Sequence, residues 1–99
     1  MRRAAKIDSN QPEIVAYLRK LGWSVFSTAA IGKGFPDIIA GRPGCCALIE
    51  IKDGKKPPSA RKLTKDEQIF AEEWTGPLIV ALSPEDAARK LNELIRGWA

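Results

Sequence analysis

Apolar and polar residues recur along the chain with two periods, and the switches between them mark out seven elements. Ile14, Val15, Leu18 and Leu21 stand at helical spacing behind Asn10-Gln11-Pro12-Glu13, a segment with an N-cap residue, a first-turn proline and an acid at the capping-box position. This predicts a helix over residues 11–21, ended by Gly22, where a left-handed residue is wanted. Trp23 to Thr28, rich in aromatic and β-branched residues, predicts a strand that stops before the glycine loop Ile31-Gly32-Lys33-Gly34. Pro36 to Ala40 and Cys46 to Ile51 predict two more strands. Pro43 and Gly44 between them suit the central positions of a type II turn, so the pair reads as a hairpin. Thr64-Lys65-Asp66-Glu67 is a second capping box, opening a helix with Ile69, Phe70 and Trp74 on its apolar side and stopped by Gly76-Pro77. Leu78 to Leu82 is a short apolar strand, and Ser83-Pro84-Glu85-Asp86 caps a last helix carrying Leu91, Leu94 and Ile95.

The central hairpin is apolar on both faces, with Ile38, Ile49 and Ile51 on one and Ile39 and Leu48 on the other. Strands of this kind are usually covered by helices on both sides. The predicted fold class is therefore α/β, a mixed four-stranded sheet flanked by helices in the order α-β-β-β-α-β-α. A chain of 99 residues suits one hydrophobic core. Residues 1–9 read as a flexible basic arm and 10–99 as a single domain.

Composition narrows the chemistry. No apolar run approaches the roughly 20 residues of a membrane helix. Arg2 and Arg3 resemble the start of a signal peptide, but Lys6, Asp8, Asn10 and Gln11 break any apolar segment behind them. The two cysteines, Cys45 and Cys46, are neighbours, a poor geometry for a disulfide, so the expectation is free thiols and a cytoplasmic location. There is no histidine, which excludes histidine triads and zinc sites built on it. The formal net charge is +4, and Lys52 to Lys65 holds six basic residues against one acid. Such a run attracts polyanions through counterion release, although a solvated basic loop is the bland alternative.

Counting back from the turn places Gly41 opposite Cys46, Ile39 opposite Leu48 and Asp37 opposite Glu50. Two carboxylates then share one face, and Lys52, two residues past Glu50, points the same way. Like charges directly opposed are destabilising unless compensated, and a hard divalent cation is a natural compensation. A bulge would shift this register by one. The competing reading makes Glu50 and Lys52 the solvent side of an edge strand and Asp37 a cap on the Pro36 turn.

Pro36-Asp37, twelve intervening residues and Glu50-Ile51-Lys52 match the PD-(D/E)XK signature of restriction-endonuclease-like nucleases. The wider series, from Gly34-Phe35-Pro36-Asp37-Ile38-Ile39-Ala40-Gly41 through Leu48-Ile49-Glu50-Ile51-Lys52 to Leu63-Thr64 and Gln68, resembles the VRR-NUC family, in its small stand-alone, virus-type form. The resemblance implies a restriction-endonuclease-like core and hydrolysis of DNA phosphodiester bonds with Mg²⁺ or Mn²⁺. It implies Asp37, Glu50 and the Ile51 carbonyl as metal ligands and Lys52 as the catalytic lysine. Glu13 corresponds to a first-helix acid near the metal and Gln68 to a supporting glutamine. Their local alternatives are a capping-box partner of Asn10 and an exposed helical glutamine. Lys33, Lys55, Lys56, Arg61 and Lys62, with Ser27 and Thr28, are the candidates for DNA-backbone contacts. The three tryptophans read as core or interface.

Stand-alone members of that family resemble Holliday-junction resolvases, which implies a four-way junction as substrate and a homodimer as the assembly, joined through Trp98 and the last helix or through exposed parts of the sheet. The alternatives are a nuclease directed to flaps or nicks and a non-catalytic DNA-binding module.

Overall fold

A computed structural model describes residues 9–98, with side chains through Gly97. The predicted arm lies outside the described residues except for Ser9. The elements are α1 (Gln11–Lys20), β1 (Ser24–Ser27), β2 (Ile38–Arg42), β3 (Cys45–Ile51), α2 (Lys65–Glu73), β4 (Leu78–Ala81) and α3 (Pro84–Trp98). The order is the predicted α-β-β-β-α-β-α. Two short 3-10 turns, Ala29–Ile31 and Pro58–Arg61, add to the predicted elements. The strands lie in spatial order β1-β2-β3-β4, antiparallel except for the parallel pair β3 and β4. This mixed sheet flanked by helices is a restriction-endonuclease-like arrangement.

Local chemistry accounts for most boundaries. Helix α1 ends where Gly22 takes a φ of +99°, with its N–H on Arg19 O and the Trp23 N–H on Leu18 O, the paired bonds of a Schellman cap. Gly44 has a φ of +82°, as the second central residue of a type II turn requires. The α2 capping box forms in full, with Thr64 Oγ1 accepting from the Glu67 N–H and Glu67 Oε1 accepting from the Thr64 N–H. The box predicted at Asn10 does not form. Asn10 precedes α1 in helical conformation, and its Nδ2 donates instead to Lys52 O at 3.2 Å and Leu82 O at 3.4 Å, tying the helix start to the ends of β3 and β4.

The main core lies between the sheet and the pair α1 and α3. Ile14 and Leu18 from α1, Val25, Ile38, Ile49, Ile51 and Ile79 from the sheet, and Ala87 and Leu91 from α3 are buried together. Each large aliphatic side chain so buried contributes about 1.5–3 kcal/mol. Trp23 joins this cluster, with the Arg42 guanidinium over its ring at 4.3 Å. The other face is covered less evenly. Helix α2 lies toward its β3 and β4 side, where Phe70 and Ala71, with Leu63 ahead of the helix, line a small cavity of about 110 Å³ with Glu50, Leu78 and Val80. Phe70 packs edge-on to Phe35 and stacks on Trp74. Ile69 and Trp74, expected on an apolar side, are 44% and 42% exposed. Toward the β1 edge, Phe26 is 67% exposed. Among the described residues no helix is long and apolar enough to cross a membrane.

Candidate active site

The hairpin register holds as counted from Arg42 opposite Cys45 through Ile39 opposite Leu48, and Ile38 then faces Ile49. At Asp37 the ladder changes. The Asp37 N–H also donates to Ile49 O, at 3.0 Å, so two residues of the β2 side oppose one of β3. This is the geometry of a β-bulge, a device that re-aims a side chain. Its effect is to turn the Asp37 carboxylate across the strand end, where Oδ2 accepts from the Ile51 N–H at 2.7 Å. Thr28 steadies the bend. Its N–H donates to Asp37 O at 2.8 Å and its hydroxyl to Pro36 O at 2.6 Å.

Strand β3 is internal to the sheet, and Glu50 is only 5% exposed. The reading of Glu50 as the solvent face of an edge strand is therefore overturned. Asp37 lies within hydrogen-bonding reach of Glu50, as does Glu67 from α2. Burial, the Asp37 charge and the hydrogen bonds that the protonated carboxyl donates to these two acids push Glu50 up to about 10, so Glu50 carries a proton at neutral pH. Lys52 Nζ stands 3.8 Å from Glu50 Oε2 and 2.8 Å from Glu67 Oε1. Burial alone would raise the Glu67 carboxyl. The Lys52 ammonium and the Thr64 N–H outweigh it and hold Glu67 below the usual carboxylate range.

The donor set fits a hard cation. Two carboxylates held within hydrogen-bonding reach, Glu50 buried and Asp37 half-buried, share a proton that a divalent ion can displace. A residue's N–H and C=O leave a strand on the same side, so the Ile51 carbonyl opens toward Asp37. Among the described residues, no group of three or more histidine, cysteine, aspartate or glutamate side chains is placed to hold a metal unaided. Mg²⁺ typically takes one or two carboxylates and completes its shell with water and substrate phosphates. Asp37, Glu50 and the Ile51 carbonyl match that pattern rather than a closed cage.

The remaining sequence candidates divide. Glu13 is exposed on α1 and lines a separate groove of about 570 Å³ with Asn10, Asp53, Lys55, Leu82 and Asp86, whose walls include neither Asp37 nor Glu50. The buried polar side chain on α1 is Gln11, 5% exposed, with no hydrogen-bond partner on its Oε1. Gln68 is exposed, and the α2 side chain that reaches the cluster is its neighbour Glu67. The sequence signal for Glu67 is its place in the capping box, which conceals a second role. Lys33, Lys55, Lys56 and Lys62 are exposed, and Arg61 is half-buried. Ser27 is exposed with its hydroxyl accepting from the Ala29 N–H, while Thr28 is engaged in holding Pro36 and Asp37.

The model of the archaeal Holliday junction resolvase (Hjc) family matches residues 3–93. No curated protein and no solved structure is similar enough to match. The match is to a resolvase family and not specifically to VRR-NUC, so the kinship expected from sequence holds at the level of resolvase-like nucleases. Because the match takes in both carboxylates, the lysine and every element through most of α3, the chain belongs to the archaeal Holliday junction resolvase family.

Proposed function

We propose that the protein is a Mg²⁺- or Mn²⁺-dependent endonuclease that cuts four-way DNA junctions as a homodimer. The observation that carries this reading is the buried Glu50 on β3 paired with Asp37 just ahead of β2, with the Lys52 ammonium 3.8 Å from Glu50. Asp37, Glu50 and the Ile51 carbonyl would hold the cation, which when bound supplies Lewis-acid stabilisation of charge on the reacting phosphate. Lys52, held over the same edge, orients a water or steadies the developing charge. The exposed lysines of the loop between β3 and α2 hold the backbone on either side without reading bases.

A four-way junction presents two equivalent strands, which suits a two-fold dimer. The face that supports this reading is the apolar row Phe26, Ile39, Leu48 and Leu78, one residue from each strand, open at Phe26 and covered by α2 at Leu78. A Phe26→Glu variant should run at the mass of one chain in light scattering, and an unchanged dimer would refute the placement.

Cleavage is tested with a synthetic four-way junction beside a flap, a nicked duplex and an intact duplex, in Mn²⁺ and in chelator. The expected result is metal-dependent cutting of the junction, lost in Lys52→Ala. Equal low activity in wild type and Lys52→Ala would sink the nuclease assignment, and faster cutting of the flap would sink the junction preference. Calorimetry with Mn²⁺ addresses the binding-module alternative, which predicts no heat, or unchanged heat in Asp37→Ala.

A further inference from the structure

We infer that Glu67 is a positioning residue for the reaction, a carboxylate on α2 that fixes where the Lys52 ammonium stands; this rests on the reading of Lys52 as catalytic. One oxygen, Glu67 Oε1, accepts from both the Thr64 N–H and Lys52 Nζ, each at 2.8 Å. The first bond closes the capping box of α2, and the second crosses from that helix to the strand end. Lys52 carries its ammonium on a flexible four-carbon stem just past the end of β3, and a side chain of this kind takes a defined position only when something holds its head.

Capping does not explain a glutamate here. A glutamine at the same position satisfies the N-cap N–H as well. Glutamate adds a negative charge beside Asp37 and Glu50, a cost that a cap alone would avoid by using the neutral residue. Beyond the dipole stabilisation that any first-turn acid gives, which Asp66 supplies without entering the cluster, the carboxylate provides a charge-assisted bond to the ammonium, about twice as strong as its neutral counterpart.

The turn that carries Glu67 is itself fixed. Gly34, with φ of +80°, packs so closely that a Cβ there would lie 2.4 Å from the Asp66 carbonyl group and 2.8 Å from the Glu67 nitrogen. The glycine loop therefore seats directly on the first turn of α2. The bridge also joins Lys52, the first residue of the basic segment, to Glu67, two residues past its end, so the loop that holds DNA and the lysine that acts on it share one anchor. A misplacement of about 1 Å costs a catalytic group up to roughly 100-fold.

The test compares wild type, Glu67→Gln, Glu67→Ala and Lys52→Ala in junction cleavage with saturating Mn²⁺, junction binding by gel shift, and thermal melting. The expected result for Glu67→Gln is kcat lowered roughly 10- to 100-fold, with the KM for the junction and the melting temperature close to wild type, because the cap survives. Glu67→Ala should lose kcat to the same degree and melt lower as well. Wild-type kcat in Glu67→Gln, while Lys52→Ala is inactive, would overturn the inference and leave the nuclease reading standing. A drop in kcat matched by an equal loss of folded protein in Glu67→Gln would also overturn it, as a purely structural role. If Lys52→Ala cuts as well as wild type, the underlying reading fails and this inference with it.

Discussion

Glu50→Gln is expected to stabilise the metal-free protein, by an amount that grows with pH. The carboxyl of Glu50 ionises near 4.5 in an unfolded chain and near 10 in the fold, where burial and the Asp37 charge oppose the anion. Its folded-state pKa is raised, so between these two values the native state binds one proton more than the unfolded state. Stability then falls as pH rises across that window, by about 1.4 kcal/mol per unit. Below about 4.5 both states are protonated and the penalty vanishes. At pH 7 the window has been entered by some 2.5 units, which amounts to about 3 kcal/mol. For a domain of this size that is a melting shift of roughly 12–24 °C. Glutamine cannot ionise in either state and can still donate to Asp37.

Melting curves of wild type and Glu50→Gln in chelator, at pH 4.5, 7 and 8.5, read this directly. The variant should melt with wild type at the lowest pH and well above it at the two others. Titrating groups that do not interact with Glu50, such as Asp86, act on both proteins alike and cancel in the difference. Adding Mn²⁺ at pH 8.5 should raise wild type and leave the variant nearly unmoved, because the ion relieves a repulsion that the variant lacks. Parallel curves at all three pH values, or a wild type more stable than the variant at pH 7, would refute the electrostatic argument.

Gly34→Ala places a methyl against the backbone of Asp66 and Glu67 and should cost at least about 1–3 kcal/mol by overpacking, seen as a lower urea midpoint together with reduced cleavage. Lys33→Gly should do the opposite to stability: Lys33 has a φ of +55°, and relieving a left-handed side-chain residue is worth about 1 kcal/mol, while junction affinity falls. The double variant Lys55→Ala and Lys56→Ala should weaken binding to junction and duplex alike and lower the salt slope of log K by about 0.9 for each phosphate that is no longer neutralised, measured by anisotropy between 50 and 200 mM salt.

Much of the fold was legible because its signals are local. The period changes, the Pro-Gly turn, the Thr64 capping box and the glycine at the end of α1 each involve residues a few positions apart, and each formed as read. Asn10 fails for the complementary reason. Its amide has a choice between a neighbouring N–H and two carbonyls, of Lys52 and Leu82, that only the tertiary fold brings near. The partial cover over the second face of the sheet is also invisible locally, since Ile39 and Leu48 read as equally apolar whether a helix or a second chain lies on them.

The same distinction governs the site. Asp37, Glu50 and Lys52 were readable because a hairpin converts sequence separation into spatial register, and a register counted from the turn needs no other information. The bulge at Asp37 could not be counted, and it matters: a regular strand would have placed Asp37 opposite Glu50, whereas the bulge lets the carboxylate also take the Ile51 N–H. Glu67 was hidden by its own local motif. A capping box accounts for both partners within four residues, so nothing in the sequence asks for a third. The Lys52 contact appears only once α2 folds over β3 and β4, and it gives a residue that looked fully explained a second partner. Gln68 and Glu13 show the converse. Each stands one or two positions from a side chain that the fold turns inward, the half-buried Glu67 and the buried Gln11, and on a helix a step of one or two residues is enough to exchange an inward for an outward face.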